Sequence, residues 1–269
     1  LHGIWGLSII ARKDIEAIKP LVDLLGDNDP RVRELSAKML GDLRYAPSAE
    51  KLVSLLKDSS LRARTFAAIA LGRLKHKPAV AALLEMLKEN DDKDAFVRHG
   101  AVMGLVGCAD GDSLKPFITD SSKAVRLGTL LALRRLKDAK IAAFLADADP
   151  LIYAEAIRAI YDVPILGAMP ALAAEIKRFG AEAGKNTNMT GLLYSRILQA
   201  NYRYGSVANA AALADFAATS SASEEVRVNA LEMLEKWEEP TEVDPVVGIY
   251  RPVPKRPTLG QDKNVASAL

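Results

Sequence analysis

The chain has 269 residues, 36 Lys and Arg against 34 Asp and Glu for a net charge of +2, and 49% hydrophobic residues with only 6% aromatics. A balance so close to neutral argues against a dedicated nucleic-acid binder, which concentrates basic residues on one face. The longest uninterrupted apolar runs, Phe66–Leu71, Ala79–Leu84 and Ile141–Ala146, have six residues each, far below the roughly 18 that span a bilayer.

Alanine is the compositional outlier, at 43 residues. It is the best helix former and a poor strand former, so the chain reads as all-helical. At its start, Gly3-Ile4-Trp5-Gly6-Leu7 lines up with Ala67–Leu71 further on. The chain therefore reads as beginning inside a helix, after its first turn. An opening that exposes Ile4, Trp5 and Leu7 is the expectation for a piece cut from a longer polypeptide, because natural stacks end in polar capping units.

From Asp27 onward a unit recurs. The pairs Val32-Arg33, Ala63-Arg64, Val97-Arg98, Val125-Arg126 and Val226-Arg227 head similar segments. The first four arginines return with a period of roughly 30 residues, a length that means stacked units rather than one globular core. Tyr153 takes the equivalent place one period after Arg126. Two longer periods then separate Tyr153 from Arg227, which leaves room for one degenerate unit around Leu192–Tyr204.

Each unit divides into two helices. Ile18, Leu21, Val22 and Leu25, then Leu52, Leu55 and Leu56, then Val80, Leu83, Leu84 and Leu87 fall on one helical face and mark amphipathic second helices. The first helices are rich in small residues such as Ala67, Ala70, Gly72, Gly100 and Gly104, which allow close crossings. Asp27-Asn28-Asp29-Pro30, Asp58-Ser59-Ser60, Asp120-Ser121-Ser122 and Asp147-Ala148-Asp149-Pro150 supply N-cap oxygens, with proline suited to a first turn. A two-helix unit of about 30 residues cannot bury its own apolar face, so the units must stack on one another.

The pattern D-x-D-P-x-V-R-x-x-A-x-x-L-G-x-L followed by A-x-x-x-L-x-x-L-L-x-D resembles the HEAT repeats, especially the short bacterial variety called lyase-like. The resemblance covers residues 1 to about 239, is sharpest over 27–149 and weakens over 165–222. It implies an all-α fold, a right-handed α-α superhelix of the HEAT/armadillo-like solenoid type with about seven to eight helix pairs. The first repeat is truncated and the one near 186–222 is degenerate.

Residues 240–269 read differently. Pro240, Pro245, Pro252, Pro254 and Pro257 crowd into its first two-thirds, a density that stops helices and favours an extended tail or linker. Tyr250–Pro254 either lies against the last repeat or leads into another module. Together with the opening L-H-G-I-W-G-L, the string G-I-Y-R-P-V-P resembles the helical midsection of large bacterial heme-binding dehydrogenase-like proteins. In that family a propeller precedes the repeats and a C-x-x-C-H cytochrome module follows. Neither lies in this chain, so the resemblance transfers no heme or quinone chemistry to any residue.

Several candidate sites have a structural reading beside the functional one. The marker arginines could form a basic stripe for phosphates, but their fixed place after loop aspartates favours ion pairs and cap contacts between repeats. The paired carboxylates Asp91-Asp92, Glu224-Glu225 and Glu238-Glu239 fall at helix ends or loops and read as solvated. His76 reads as a turn residue, His99 is a lone histidine on a first helix, and Cys108 reads as a buried small side chain rather than a nucleophile. Asn188-Met189-Thr190 matches a glycosylation sequon, a weak pattern.

The most suggestive surface is Tyr194, Arg196, Tyr202, Arg203 and Tyr204, because aromatic residues and arginine anchor interfaces and departures from a template can be functional. No catalytic residue, cofactor or metal ligand is expected. The leading function is a non-enzymatic protein–protein interaction scaffold, a fragment of a larger multidomain protein. Its partner is a protein or a neighbouring domain, with no nucleic acid, no membrane insertion and a monomeric state. The alternative is a spacer domain of a periplasmic heme/quinone-type dehydrogenase whose redox modules lie outside the chain. The compartment is extracytoplasmic on that reading and cytoplasmic otherwise. A third reading, a lyase-like HEAT protein acting on a chromophore-bearing partner, requires a reactive site that the sequence does not locate.

Overall fold

The structure is a computed structural model that describes residues 1–182, 191–219, 221–253, 256, 258 and 259. The fold is all-α and of the superhelical repeat class. The chain forms two compact units, Leu1–Leu136 and Lys137–Leu269.

In the first unit the leading helices of successive repeats are α1 (His2–Ile10), α2 (Pro30–Asp42), α4 (Leu61–Leu74), α6 (Ala95–Cys108) and α8 (Lys123–Leu136). Neighbouring members pack on each other in that order. The trailing elements are a 3-10 helix over Ile15–Gly26, α3 (Ala49–Leu55), α5 (Val80–Asn90) and the short α7 (Gly111–Leu114).

The loop aspartates have two distinct tasks. Asp27, Asp58, Asp120 and Asp147 each accept the amide two residues on, at 2.7 to 2.8 Å. That second residue then caps the helix: Asp29 opens α2, Ser60 opens α4, and Asp149 opens α9 (Pro150–Asp162). The D-x-D and D-x-S strings thus satisfy one loop amide and one orphan helix amide each. At the other end, α2 and α4 run into left-handed Arg44 and Lys75, whose amides return to carbonyls of the last turn. Such a residue stops the helix and satisfies its last carbonyls.

One trailing element departs from the expected α-helix. Ile15–Gly26 is 3-10 throughout and contains Pro20. Proline offers no amide and its ring blocks the carbonyl four residues back, so the segment closes on the tighter three-residue turn. Ile18, Leu21 and Leu25 are nevertheless buried, because spacings of three and four keep one face inward in either helix.

In the second unit a 3-10 helix over Ala139–Ala146 packs against α9, followed by α10 (Met169–Ala174), α11 (Ile176–Glu182), α12 (Gly191–Tyr204), α13 (Val207–Ala217) and α14 (Glu224–Glu235). Ile152, Ile157, Ile160 and Tyr161 on α9 are fully buried, and so is Trp237 just beyond α14. The expected degenerate repeat near 186–222 is described only from residue 191, as the pair α12 and α13. The sequon at 188–190 lies outside the described residues.

The tail is not wholly extended. β1 (Val243–Asp244) and β2 (Ile249–Tyr250) form a small antiparallel hairpin, with Gly248 at φ +68°, a conformation that favours glycine. Of the five tail prolines, Pro254 and Pro257 lie outside the described residues. Among the described residues no helix is long and apolar enough to cross a membrane.

Candidate functional site

The marker arginines are engaged within the repeats. Arg33 forks onto Asp58 through Nε and Nη2, both at 2.7 Å, and donates through Nη1 to the Asp27 carbonyl at 2.8 Å. Asp58 belongs to the loop of the following repeat, so this pair ties two units together. Arg64 donates to the Asp58 carbonyl and faces Glu89 at 3.7 Å. Arg98 pairs with Asp92, Arg126 donates to the Asp120 carbonyl, and Arg227 donates to the Ala217 carbonyl.

Burial by itself would raise the Asp58 carboxyl, but hydrogen bonds from Arg33 and the Ser60 amide outweigh it and hold the group below the usual carboxylate range. Both side chains of the Arg33–Asp58 pair are nearly buried, at 13% and 10% exposure. Asp58→Ala is expected to destabilise the first unit by about 2 kcal/mol, since it leaves a largely buried guanidinium without its carboxylate. Urea denaturation checks this, and a loss under about 0.5 kcal/mol, the level of an ordinary surface change, contradicts it.

Cys108 is buried and its Sγ donates to the Leu71 carbonyl at 3.3 Å. Burial pushes its thiol up to about 11, so at neutral pH it is a packed thiol and not a nucleophile. His76 faces Glu50 at 3.3 Å, and His99 is exposed. Asp91 and Asp92 are exposed, near Lys93 and Arg98 respectively. Among the described residues no cluster of three or more His, Cys, Asp or Glu could hold a metal ion.

The five residues singled out as interface anchors lie in or at the end of α12, and most of them face inward. Arg196 stands one repeat period before Arg227 and forks onto Asp162 at 2.8 and 3.0 Å. Tyr194 sits in an aromatic row, edge-on to Phe179 at 4.8 Å between ring centres and tilted against Phe216 at 6.3 Å. Phe179 in turn stacks on Tyr153, which occupies the marker position on α9 and donates to Glu175 at 2.7 Å. Tyr202 is 3% exposed, packs edge-on against Trp237 and donates its hydroxyl to the Lys236 carbonyl at 2.7 Å. The Arg203 side chain is 8% exposed. Tyr204, at 55%, is the exposed member of the group. Tyr202 is thus buried, Tyr194, Arg196 and Arg203 are partly buried against partners within the unit, and Tyr204 points outward. The missing alanine-leucine packing of the degenerate repeat is replaced by rings and by arginine contacts.

The residue that organises this region, Asp244, was not singled out by sequence reasoning. It is fully buried on β1 and accepts from the Tyr161 hydroxyl at 2.7 Å, Arg251 Nη1 at 3.0 Å, and the amides of Val246 and Val247 at 2.9 and 3.3 Å. Arg203 Nε lies 3.4 Å away, and Arg203 Nη2 donates to the Arg251 carbonyl. Burial, reinforced by the hydrogen bond to Asp244 and its charge, pushes the Tyr161 hydroxyl far above the ordinary tyrosine value. Tyr161 is therefore a permanent donor in this cluster. Arg251 donates to the carbonyls of Tyr161 and Asp162, so the described part of Tyr250–Pro254 lies against α9 rather than against the last helices of the chain.

The first unit presents a different surface. On α1, Leu1, Trp5, Ile9 and Ile10 are each about half exposed or more. Of these, Leu1 and Ile10 line a groove of about 580 Å³ together with Gly3, Gly6, Leu7, Leu24 and Val32 among others. A Cβ built on Gly3 or Gly6 would meet no atom within 4 Å.

A family model described as HEAT repeats matches residues 4–61 and 18–106. No curated protein matches the chain. Among solved structures, the complex of CpcE and CpcF of phycocyanin lyase from Nostoc sp. PCC7120 is similar at 21% identity and a TM-score of 0.39, over 86% of this chain and 90% of that one. An engineered protein is similar at 20% identity and 0.35, over 82% and 96%. Human deoxyhypusine hydroxylase in complex with glycerol is similar at 20% identity and 0.33, over 87% and 89%.

Proposed function

We propose that this chain, whose residues 4–106 carry HEAT repeats, is a non-enzymatic scaffold that binds a protein segment or a neighbouring domain. The observation that supports this reading is the apolar face of α1. Trp5, Ile9 and Ile10 are 49%, 62% and 56% exposed, and Ile10 also lines a groove together with Gly3 and Gly6. Clustered apolar exposure of this kind marks contact sites more often than isolated exposed residues do. An exposed tryptophan such as Trp5 is also of the residue type most enriched among interface anchors. Tyr204 supplies a second exposed aromatic ring, in the other unit.

The test is the double variant Trp5→Glu with Ile9→Glu in the full-length protein, expressed in its own cells and followed by cross-linking and mass spectrometry. Exposed positions tolerate the change, so the melting temperature should hold while the recovery of a specific cross-linked partner falls by about tenfold or more. An unchanged set of partners at unchanged stability removes α1 as the contact face. Turnover of a small molecule by the purified chain would overturn the scaffold reading itself.

A further inference from the structure

We infer that Arg203 and Arg256 form a binding site for a small oxyanion, of phosphate or carboxylate chemistry, beneath the strap that follows β2. Charge comes first. Arg203, Arg251 and Arg256 converge on this edge of the second unit, and Asp244 is the carboxylate in contact with the first two. Asp244 already accepts from Tyr161, Arg251 and two backbone amides. Among the described residues, three guanidinium groups against one saturated carboxylate leave a surplus of positive charge. In a partly dry environment such a surplus is costly without a counter-ion.

The donors point the same way. Arg203 Nη1, Arg256 Nε and Arg256 Nη2 are buried without a hydrogen-bond partner. Nε and Nη2 together make one edge of a guanidinium, the edge that takes the two oxygens of an oxyanion side by side. The same edge of Arg33 holds Asp58 and that of Arg196 holds Asp162, so this chain uses the fork for a carboxylate at two other places.

Arg256 is also held rigidly in place. Its guanidinium lies 4.6 Å from the Tyr202 ring centre and 4.5 Å from that of Trp237, and Nη1 donates to the Tyr202 carbonyl at 2.8 Å. The two ring contacts and the Nη1 hydrogen bond together restrain the group. The Nε–Nη2 edge is therefore preorganised, which lowers the entropic cost of capturing a ligand. Burial depresses the Arg256 pKa more than Tyr202 raises it, and the charge of Arg203 adds to the depression. Arg203 directly follows Tyr202, whose ring and carbonyl hold Arg256, so the two guanidinium groups belong to the same corner of the unit.

The experiment titrates the full chain with inorganic phosphate, against sodium chloride at equal ionic strength, with sodium acetate as a second probe. Calorimetric unfolding and trypsin cleavage after Lys255 are the readouts. The expected result is a saturable rise in unfolding temperature, slower cleavage at the strap, and an affinity about tenfold weaker in Arg256→Lys, which keeps the charge but loses the fork. Arg203→Lys, which alters the other donor, should weaken it as well. Phosphate acting alone identifies a tetrahedral occupant, and acetate acting equally well identifies a carboxylate; both support the site. No difference from chloride with either probe, or full affinity retained in both lysine variants, overturns it.

Discussion

Asp244→Ala is expected to destabilise the second unit by about 3–5 kcal/mol, the usual cost of removing one partner from a buried charge cluster. The carboxylate is fully buried and receives a hydroxyl, a guanidinium and two amides, with a second guanidinium close by. Removing it orphans Tyr161 Oη inside the unit and sets Arg203 and Arg251 against each other with no intervening anion. Each buried donor so stranded costs about 1–3 kcal/mol, and the hairpin loses the acceptor that fixes its turn. Tyr161→Phe removes one donor and its hydroxyl together, so it should cost only about 1 kcal/mol. Chemical denaturation of the three proteins gives the comparison. A loss below about 1 kcal/mol for Asp244→Ala, or an equal loss for the two variants, would show that the cluster does not hold the strap.

Gly107→Ala is expected to destabilise the first unit by about 3 kcal/mol, at the upper end of ordinary overpacking, although local propensity predicts the opposite sign. In a helix interior alanine is favoured over glycine by about 1 kcal/mol. At this position an added Cβ would lie 2.0 Å from the Gly72 carbonyl oxygen and 2.4 to 2.5 Å from its carbonyl carbon and Cα. These are backbone atoms, so no side chain can rotate out of the way and α4 and α6 must move apart. Gly6→Ala on α1 is the matching control. No atom lies within 4 Å of its Cβ, so propensity acts alone and the variant should gain up to about 1 kcal/mol. Thermal unfolding of both variants decides the matter. A stabilised Gly107→Ala would mean that the helices do not cross as closely as the structure has them.

The two glycines show how far a single sequence can be read. Both belong to small-residue stripes on leading helices, and the repeat alignment suggested close crossings there. It did not separate Gly107, which touches a neighbouring backbone, from Gly6, which faces open space. The arginine markers were more legible. Their aspartate partners sit in loops at fixed offsets, so a pattern within one or two repeats already contains both members of the contact. The α12 residues were less legible, because tyrosine and arginine are enriched at surfaces that bind partners and equally suited to filling a repeat that has lost its alanines. Nothing in their local spacing tells the two uses apart, and only the packing of Tyr202 against Trp237 and of Arg196 against Asp162 does.

By itself the sequence determined the helical class, the period of the repeat, the helix starts and the inward faces of most helices. All of these arise from contacts within about one repeat, and Ile18, Leu21 and Leu25 stay inward even where Pro20 changes the helix type. The tertiary structure alone decided that Asp244 meets Tyr161 across 83 residues, that Arg251 reaches the carbonyls of α9 across 89 and 90, and that Arg256 lies against the rings of Tyr202 and Trp237. Those contacts have no periodic signature, because each joins two positions once and repeats nowhere. They come into being only after the stacked helices have brought distant segments side by side.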